Sequence, residues 1–308
     1  MKTPKIVVVG SVNTDMVVKS ERIPAPGETV TGGEFVMPAG GKGANQAVAA
    51  ARLGAEVTLV AKVGQDMFGT QSVENFKRDN ILTDFISADA DKPTGVALIL
   101  VDGQGENLIS VAPGANAAIT PDEVQKAADR ISSADVVLLQ LEIPMDAVEF
   151  TARLAAEAGV PVVLDPAPAA PLAAELLGNV TYLTPNESEA ARLTGIEVTD
   201  EPTARAAAQK LIAAGVDNVI LTMGTQGALV AGADASFVVP SHTGEAVDST
   251  AAGDAFNGGL AFALARGLTL KDAVREAALV GALSVTKMGA QPSLPTADEL
   301  AQFKKTVS

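Results

Sequence analysis

Residues 136–142 read Val136-Val137-Leu138-Leu139-Gln140-Leu141-Glu142, and residues 160–165 read Val160-Pro161-Val162-Val163-Leu164-Asp165. Each run is short, apolar and almost free of polar alternation, so each predicts a strand buried on both faces. Between them, the alanine-rich stretch Met145–Ala158 spaces its apolar residues for a helix. Strand, helix and strand in this order predict a parallel pair joined by a crossover. Both strands run into a carboxylate, Glu142 in one case and Asp165 in the other.

The same rhythm extends in both directions. Further strands are predicted at Ile6–Gly10, Val57–Val63, Val180–Thr184 and Val219–Met223. Helices are predicted at Ala44–Leu53, Met67–Asn80, Pro121–Ile131, Glu187–Leu193, Thr203–Ala214, Asp254–Ala265, Leu270–Val285 and Ala297–Lys305. The chain therefore reads as a layered α/β fold, with a mainly parallel central sheet flanked by helices. Val17–Met37, punctuated by proline and glycine, and Gly95–Val111, with its Gly103-Gln104-Gly105 turn, break the pattern. They predict short antiparallel strands, a small projecting lid built from about residues 15–40 and 94–112. No repeat or linker divides the chain, so residues 1–308 are expected to form a single domain.

Composition narrows the chemistry. Thirty-seven acidic residues against 22 basic ones give a net charge of −15, the wrong sign for a nucleic-acid surface. Nine Phe, one Tyr and no Trp leave few platforms on which bases can stack. A single nucleotide is not excluded, because one Mg²⁺ and a few backbone amides can hold it locally. With no cysteine, thiol nucleophiles and cysteine zinc sites are impossible. His242 is the sole histidine and lies in a predicted loop, where it reads as structural. No apolar run approaches the ~18 residues of a membrane span. The N-terminus lacks a secretory leader, so a cytoplasmic enzyme is expected.

Ligands of open α/β sheets bind beyond the carboxyl ends of the strands. Here those ends carry Asn13, Thr14 and Asp15 after the first strand, then Glu142, Asp165, Asn186 with Glu189, and the segment Thr222-Met223-Gly224-Thr225-Gln226-Gly227. Gly40-Gly41-Lys42-Gly43-Ala44-Asn45 opens a helix. Its glycines admit a ligand to the backbone, and Lys42 and Asn45 offer donors; a plain glycine-rich turn with a helix cap fits the same residues. The chain contains neither a Walker A loop nor the G-x-G-x-x-G fingerprint, which argues against a dinucleotide dehydrogenase.

Asp248-Ser249-Thr250-Ala251-Ala252-Gly253-Asp254 is the most informative stretch. Small residues opening a helix leave its first amides free to form an anion hole. A carboxylate beside such a hole suits phosphoryl transfer, in which it deprotonates the attacking hydroxyl. An aspartate that merely stabilises its own helix reads the same way locally.

Taken together, Gly10-Ser11-Val12-Asn13-Thr14-Asp15, Gly40–Asn45 followed by Gln46-Ala47-Val48-Ala49, and Thr250–Asp254 resemble the ribokinase family of sugar and nucleoside kinases. Thr94-Gly95-Val96-Ala97 and Lys287-Met288-Gly289-Ala290-Gln291-Pro292-Ser293 extend the resemblance over essentially the whole chain. It implies ATP-dependent phosphorylation of the O5 hydroxyl of D-ribose to D-ribose 5-phosphate. Asn13, Thr14, Asp15, Gly41, Lys42, Gly43, Asn45 and Glu142 would hold the sugar. Asp254 would be the base, and Ala251, Ala252 and Gly253 the anion hole. Asn186 and Thr222–Gly227 would contact ATP, with Gly253 at its terminal phosphate and Glu189 organising Mg²⁺ through water. K⁺ would be bound by oxygens of Asp248, Thr250, Ser284, Lys287, Gly289 and Ser293, most of them backbone carbonyls.

The resemblance has gaps. Ala278 stands where such kinases often place His or Asn near the adenine, and Gly224–Gly227 lacks a basic residue. A related acceptor (2-deoxyribose, fructose or a nucleoside) and a non-catalytic sugar-responsive binder are the competing readings. The intact Asp254 speaks against the binder. Exposed strand edges on the lid are expected to pair two subunits into a homodimer.

Overall fold

Alternate residues of the first strand enter opposite cores. Ile6 and Val8 pack in one, Val7 and Val9 in the other. The computed structural model describes residues 2–232, 236–242 and 246–306. Its strands are β1 (Lys5–Val9), β2 (Asn13–Lys19), β3 (Glu34–Val36), β4 (Ala39–Gly40), β5 (Glu56–Gly64), β6 (Leu82–Asp89) and β7 (Gly95–Val101). They continue with β8 (Asn107–Ala112), β9 (Val136–Leu139), β10 (Val162–Leu164), β11 (Tyr182–Leu183), β12 (Asn218–Thr222), β13 (Ala228–Gly232) and β14 (Ser236–Val239).

Among the described residues the main sheet has nine strands in the order β14-β13-β12-β11-β10-β9-β1-β5-β6. Pairing is parallel from β12 through β6, so these strands end on one edge. Two strand pairings at the far side are antiparallel. One core lies under the helices Lys42–Arg52, Ala252–Ala265 and Leu270–Ser284. The other lies under Met145–Glu157 and Glu201–Ala213. The layered α/β expectation holds.

Parts of the fold differ from the sequence expectation. β6 carries polar residues at several positions and is mostly half-buried at the sheet edge, so it lacks the apolar run of a central strand. β13 and β14 form an edge pair that the reading of the chain did not include. The helix expected over Pro121–Ile131 is two short ones, Pro121–Gln125 and Ala128–Ser132, with Ala127 out of helical geometry between them.

A smaller sheet runs β3-β2-β7-β8, with β4 also on β2. Three of its pairings are antiparallel, as expected. The central pair β2–β7 is parallel, from Asn13↔Gly95 to Lys19↔Val101. Its two strands are separated in sequence by β5 and β6, so no tight turn forces them to oppose.

Candidate active site

The helices Lys42–Arg52 and Ala252–Ala265 share one core and touch closely where their residues are small. A Cβ on Gly258 would come within 2.5 Å of Ala49 Cβ and 2.9 Å of the Gln46 carbonyl. This close approach sets the first turns of both helices side by side at the carboxyl edge of the sheet. Asn45 Nδ2 donates to Asp254 Oδ2 at 2.9 Å, and Gln46 Nε2 donates to Asp254 Oδ1 at 3.1 Å. Gln46 Nε2 also donates to Asp165 Oδ2 at 2.9 Å. Asp254, Asn45, Gln46 and Asp165 are all buried.

Lys42 answers this concentration of carboxylates. Its ammonium lies 3.9 Å from Asp165 Oδ2. Burial works against its charge, yet Asp165, Asp254, Glu142 and Glu189 hold its pKa above the ordinary lysine value. Burial pushes the Asp165 carboxyl up to about 7. Lys42 pulls the other way, while Asp254, Glu189 and Glu142 add to the rise. Asp15 is pushed up to about 6 by burial, then by Glu142 and Asp254. Asp254 and Glu142 act on Lys42, Asp165 and Asp15 alike, so the strand-end acids form one cluster rather than scattered loop residues.

The first-strand residues are fixed from several sides. Asn116 accepts from the Val12 amide at 2.8 Å and donates to Asn13 Oδ1 at 2.7 Å. Asn13, Thr14 and Asp15 are buried at the start of β2. Glu142 Oε2 accepts from the Ser11 hydroxyl and, at 3.0 Å, from the Lys42 amide. The Gly43 amide donates to Ser11 Oγ at 3.3 Å. Gly41 has φ 90°, and a Cβ there would meet the Asn13 amide nitrogen at 2.7 Å. Glycine is needed both for that backbone and for that approach.

The helix Ala252–Ala265 begins without a side-chain cap, after Ala251 in the left-handed region at φ 59°. The Ala252 amide donates to the Ser249 carbonyl at 3.1 Å. Among the described residues the Gly253 and Asp254 amides have no acceptor. Among the described residues nothing lies within 4 Å of a Cβ built on Gly253, so that side of the helix mouth is uncrowded. Two free amides at the positive end of a helix make a place for an anion, directly beside a buried carboxylate.

The pattern of the pfkB family carbohydrate kinases matches residues 3–297. The chain belongs to the pfkB family of carbohydrate kinases. The ribokinase of Haemophilus influenzae is 42% identical over 298 residues, covering 97% of each chain. The deoxyribokinase of Salmonella typhi is 35% identical over 299 residues, covering 97% of this chain and 98% of its own. A structure of Arabidopsis thaliana ribokinase complexed with ribose and ATP superposes with a TM-score of 0.93 at 32% identity, covering 99% of both chains.

In this carbohydrate kinase, a second group of expected residues lies on neighbouring strands. Asn186 forms a bridge with Thr222, and the Thr222 amide donates to the Pro185 carbonyl at 2.9 Å. Asn186 caps the helix Glu187–Thr194 by accepting from the Glu189 amide, while Glu189 Oε2 accepts from the Asn186 amide. Gly224–Gln226 form a short 3-10 turn, closed where Met223 donates to the Gly227 carbonyl at 2.8 Å. A Cβ on Gly227 would sit 2.0 Å from the Val239 carbonyl, so β14 fixes this loop. Ala278 lies on the helix Leu270–Ser284, packed against the core.

The third group gathers around Asp248. Its carboxylate accepts from the Thr250 amide at 2.9 Å and from the Gly289 amide at 2.8 Å. Burial would raise its pKa, but these bonds hold it below the usual carboxylate value. The Asp248 amide donates to Val285, which seats residues 248–250 against 284–289. Ser284 and Ser293 are fully buried nearby in sequence, and the Lys287 ammonium pairs away with Glu299. Asp248, Thr250 and Gly289 are thus brought together, while the Lys287 side chain is engaged elsewhere.

Sequence reasoning did not assign Gln46, Gln140 or Asn116, although all three are buried among the expected residues. Gln46 was visible only as one residue of a family motif. Asn116 stands in a short 3-10 turn with no motif to mark it.

Proposed function

We propose that the chain transfers the terminal phosphoryl group of ATP to the O5 hydroxyl of D-ribose, giving D-ribose 5-phosphate. One observation carries this reading: Asp254 is buried and hydrogen-bonded at the mouth of a helix whose next amides are free, within the acid cluster that includes Asp15, Lys42 and Glu142. Asp254 takes the proton from the O5 hydroxyl. The 251–253 anion hole, in which the Gly253 amide is free, faces the charge that develops on the transferred group. Asn13, Thr14, Asp15, Gly41, Lys42, Gly43, Asn45 and Glu142 hold the sugar, because paired carboxylates and amides satisfy several hydroxyls at once.

Asn186 and Thr222–Gly227 contact the nucleotide. No cluster of three or more His, Cys, Asp or Glu side chains arranged to hold a metal exists among the described residues. Glu189, at the strand end beside Asn186, would act on Mg²⁺ through water and the phosphates of ATP. When bound, that ion neutralises phosphate charge. Asp248, Thr250, Ser284, Lys287, Gly289 and Ser293 would hold K⁺ through oxygens. Sitting just before the anion hole, the site would order the 248–250 loop.

The smaller sheet acts as a lid over the sugar. Phe35, Leu98, Leu108 and Ile109 are large apolar residues more than half exposed on it, and they support a homodimer formed lid to lid. No described helix is long and apolar enough to cross a membrane. ATP as the phosphoryl donor supports placing the reaction in the cytoplasm.

The test is a panel of D-ribose, 2-deoxyribose, fructose and nucleosides with Mg·ATP, with the product position assigned by NMR. Ribose is expected to give the highest kcat/KM, with phosphate on O5. Preference for 2-deoxyribose, which the likeness to a deoxyribokinase makes the nearest alternative, would move the assignment to that sugar. Ribose binding without turnover of any acceptor would instead support the non-catalytic reading.

A further inference from the structure

Gln46 stands between the two most buried carboxylates of the site and is itself 0% exposed. Its single side-chain nitrogen donates to Asp165 Oδ2 at 2.9 Å and to Asp254 Oδ1 at 3.1 Å, so both amide protons are in use. Its carbonyl oxygen accepts from Gln140 Nε2 at 2.6 Å. Gln140, also 0% exposed, thereby decides which end of the Gln46 amide faces the acids. The second Asp254 oxygen is held by Asn45, one residue earlier on the same helix turn.

We infer that Gln46 is a positioning residue that, with Asn45, fixes the Asp254 carboxylate for catalysis and separates it from Asp165. The inference rests on the reading of Asp254 as the base. An ordinary core residue at position 46 would fill the space but leave two buried carboxylates with no donor bridging them. Glutamate would fill it with a third acid. Of side chains this long, only an amide supplies two donors on one atom and an acceptor to lock its orientation. The cradle is tight. A Cβ on Gly10 would meet Gln140 Oε1 at 2.1 Å, and the Gly258 contact presses the helix backbone at Gln46 from the other side. Neither amide can swing away, so the Asp254 oxygens keep one orientation toward the open amides of the helix mouth.

Gln46→Met keeps the length and removes every hydrogen bond. The expected result is a kcat lowered about 10- to 100-fold, the scale on which a misplaced catalytic group costs rate. KM for ribose and for ATP should change less than threefold. With its donor to Asp165 gone, the ionised form of that carboxyl, already raised by burial, is less favoured, so the acid limb of the kcat–pH profile moves to higher pH. A purely structural role would lower the melting temperature but leave that limb in place. Gln140→Met, one bond further out, carries the same test at smaller amplitude if the first variant does not accumulate. Asp254→Asn run alongside separates the two readings. If Asp254→Asn keeps near-wild-type turnover, the base assignment fails. If Asp254→Asn is inactive while folded Gln46→Met, or Gln140→Met in its place, keeps wild-type kcat and an unmoved acid limb, the role given to Gln46 is wrong.

Discussion

Asn45 donates 2.9 Å to Asp254 across 209 residues of sequence, tying together the first turns of two helices that meet nowhere in the linear chain. The bond aims one carboxylate oxygen at a defined place and leaves Asn45 Oδ1 buried without a partner among the described residues. A buried, unpaired acceptor beside a carboxylate is costly unless something else supplies the donor. A sugar hydroxyl has the right chemistry. Replacing Asn45 with Ala should therefore raise KM for ribose and lower kcat together, because one side chain serves both the acceptor sugar and the base. Steady-state kinetics against ribose at saturating ATP read both effects; loss confined to KM would leave Asn45 with the sugar alone.

Asp254→Asn keeps size but removes basicity. It should lower kcat by at least about 100-fold, within the range general-base catalysis contributes. Ribose binding measured by calorimetry should persist. The new amide nitrogen must also face either Asn45 or Gln46, both of which are donors to this position. A stability loss of about 1–3 kcal/mol is expected from that unmatched pair. Undiminished turnover would remove the residue from the chemistry.

Asp15 offers a test of stability with a definite sign. Its carboxyl is raised from an ordinary value of 3.8 to about 6, chiefly by burial and then by Glu142 and Asp254. The native state therefore holds a proton that the unfolded chain releases, and wild-type stability falls as pH rises from about 4 toward 7. Asp15→Asn removes that dependence. The variant should melt at the wild-type temperature near pH 4 and a few degrees higher at pH 8, a gain on the order of 2 kcal/mol. Scanning calorimetry at both pH values checks it. Lost ribose affinity should accompany the gain, because the strained acid is the one offered to the sugar.

What the chain disclosed by itself follows from locality. Val136–Leu139 and Val162–Leu164 declared buried strands because every residue of each is apolar, and the parallel edge followed from the helix between them. Asp254 was legible because small residues at a helix start leave amides free whatever surrounds them. β6 was not, since an edge strand shows half-polar residues that resemble a loop. Gln46 stayed hidden for a different reason. Within Ala44-Asn45-Gln46-Ala47-Val48 it reads as an ordinary helix residue, and its partners Gln140, Asp165 and Asp254 come from distant parts of the chain. Helical periodicity shows which face is buried, but not which buried amide meets which acid.

Gly43 tests how closely the sugar loop must approach the first strand. A Cβ there would lie 2.5 Å from the Ser11 amide nitrogen and 2.6 Å from the Gly10 carbonyl carbon, both backbone atoms. Neither can rotate aside, so Gly43→Ala must push the helix Lys42–Arg52 away from the sheet. A stability loss of about 1–3 kcal/mol follows from overpacking of this kind. The shift should also weaken the Lys42 amide bond to Glu142, raising KM for ribose more than KM for ATP. Equal stability and equal KM values would mean that the loop has slack that these distances deny.

The cation site proposed around Asp248 is testable in salt. Asp248 joins the Thr250 and Gly289 amides, so it can hold the two oxygen-bearing loops together even without an ion. Turnover with Mg·ATP should rise when Na⁺ is exchanged for K⁺ at constant ionic strength. Asp248→Ala should abolish most of that difference while changing KM for ribose little. Equal rates in the two salts for the wild type would argue against a functional ion here.

Asn186 serves two purposes that one substitution can separate. Its side chain accepts from the Glu189 amide and from Ser188, closing a capping box at the start of Glu187–Thr194. The same residue pairs with Thr222 beside the loop assigned to the nucleotide. Asn186→Ala should lose about 1 kcal/mol of stability, the usual worth of a cap, and raise KM for ATP. Asn186→Asp keeps a good capping oxygen, so stability should stay near wild type. It adds a negative charge where phosphates are expected, so KM for ATP should still rise, and more so at low ionic strength. An Asn186→Ala variant that loses stability but keeps its ATP affinity would confine Asn186 to its helix. A fall in affinity alone, with the melting temperature unchanged, would place the residue at the nucleotide.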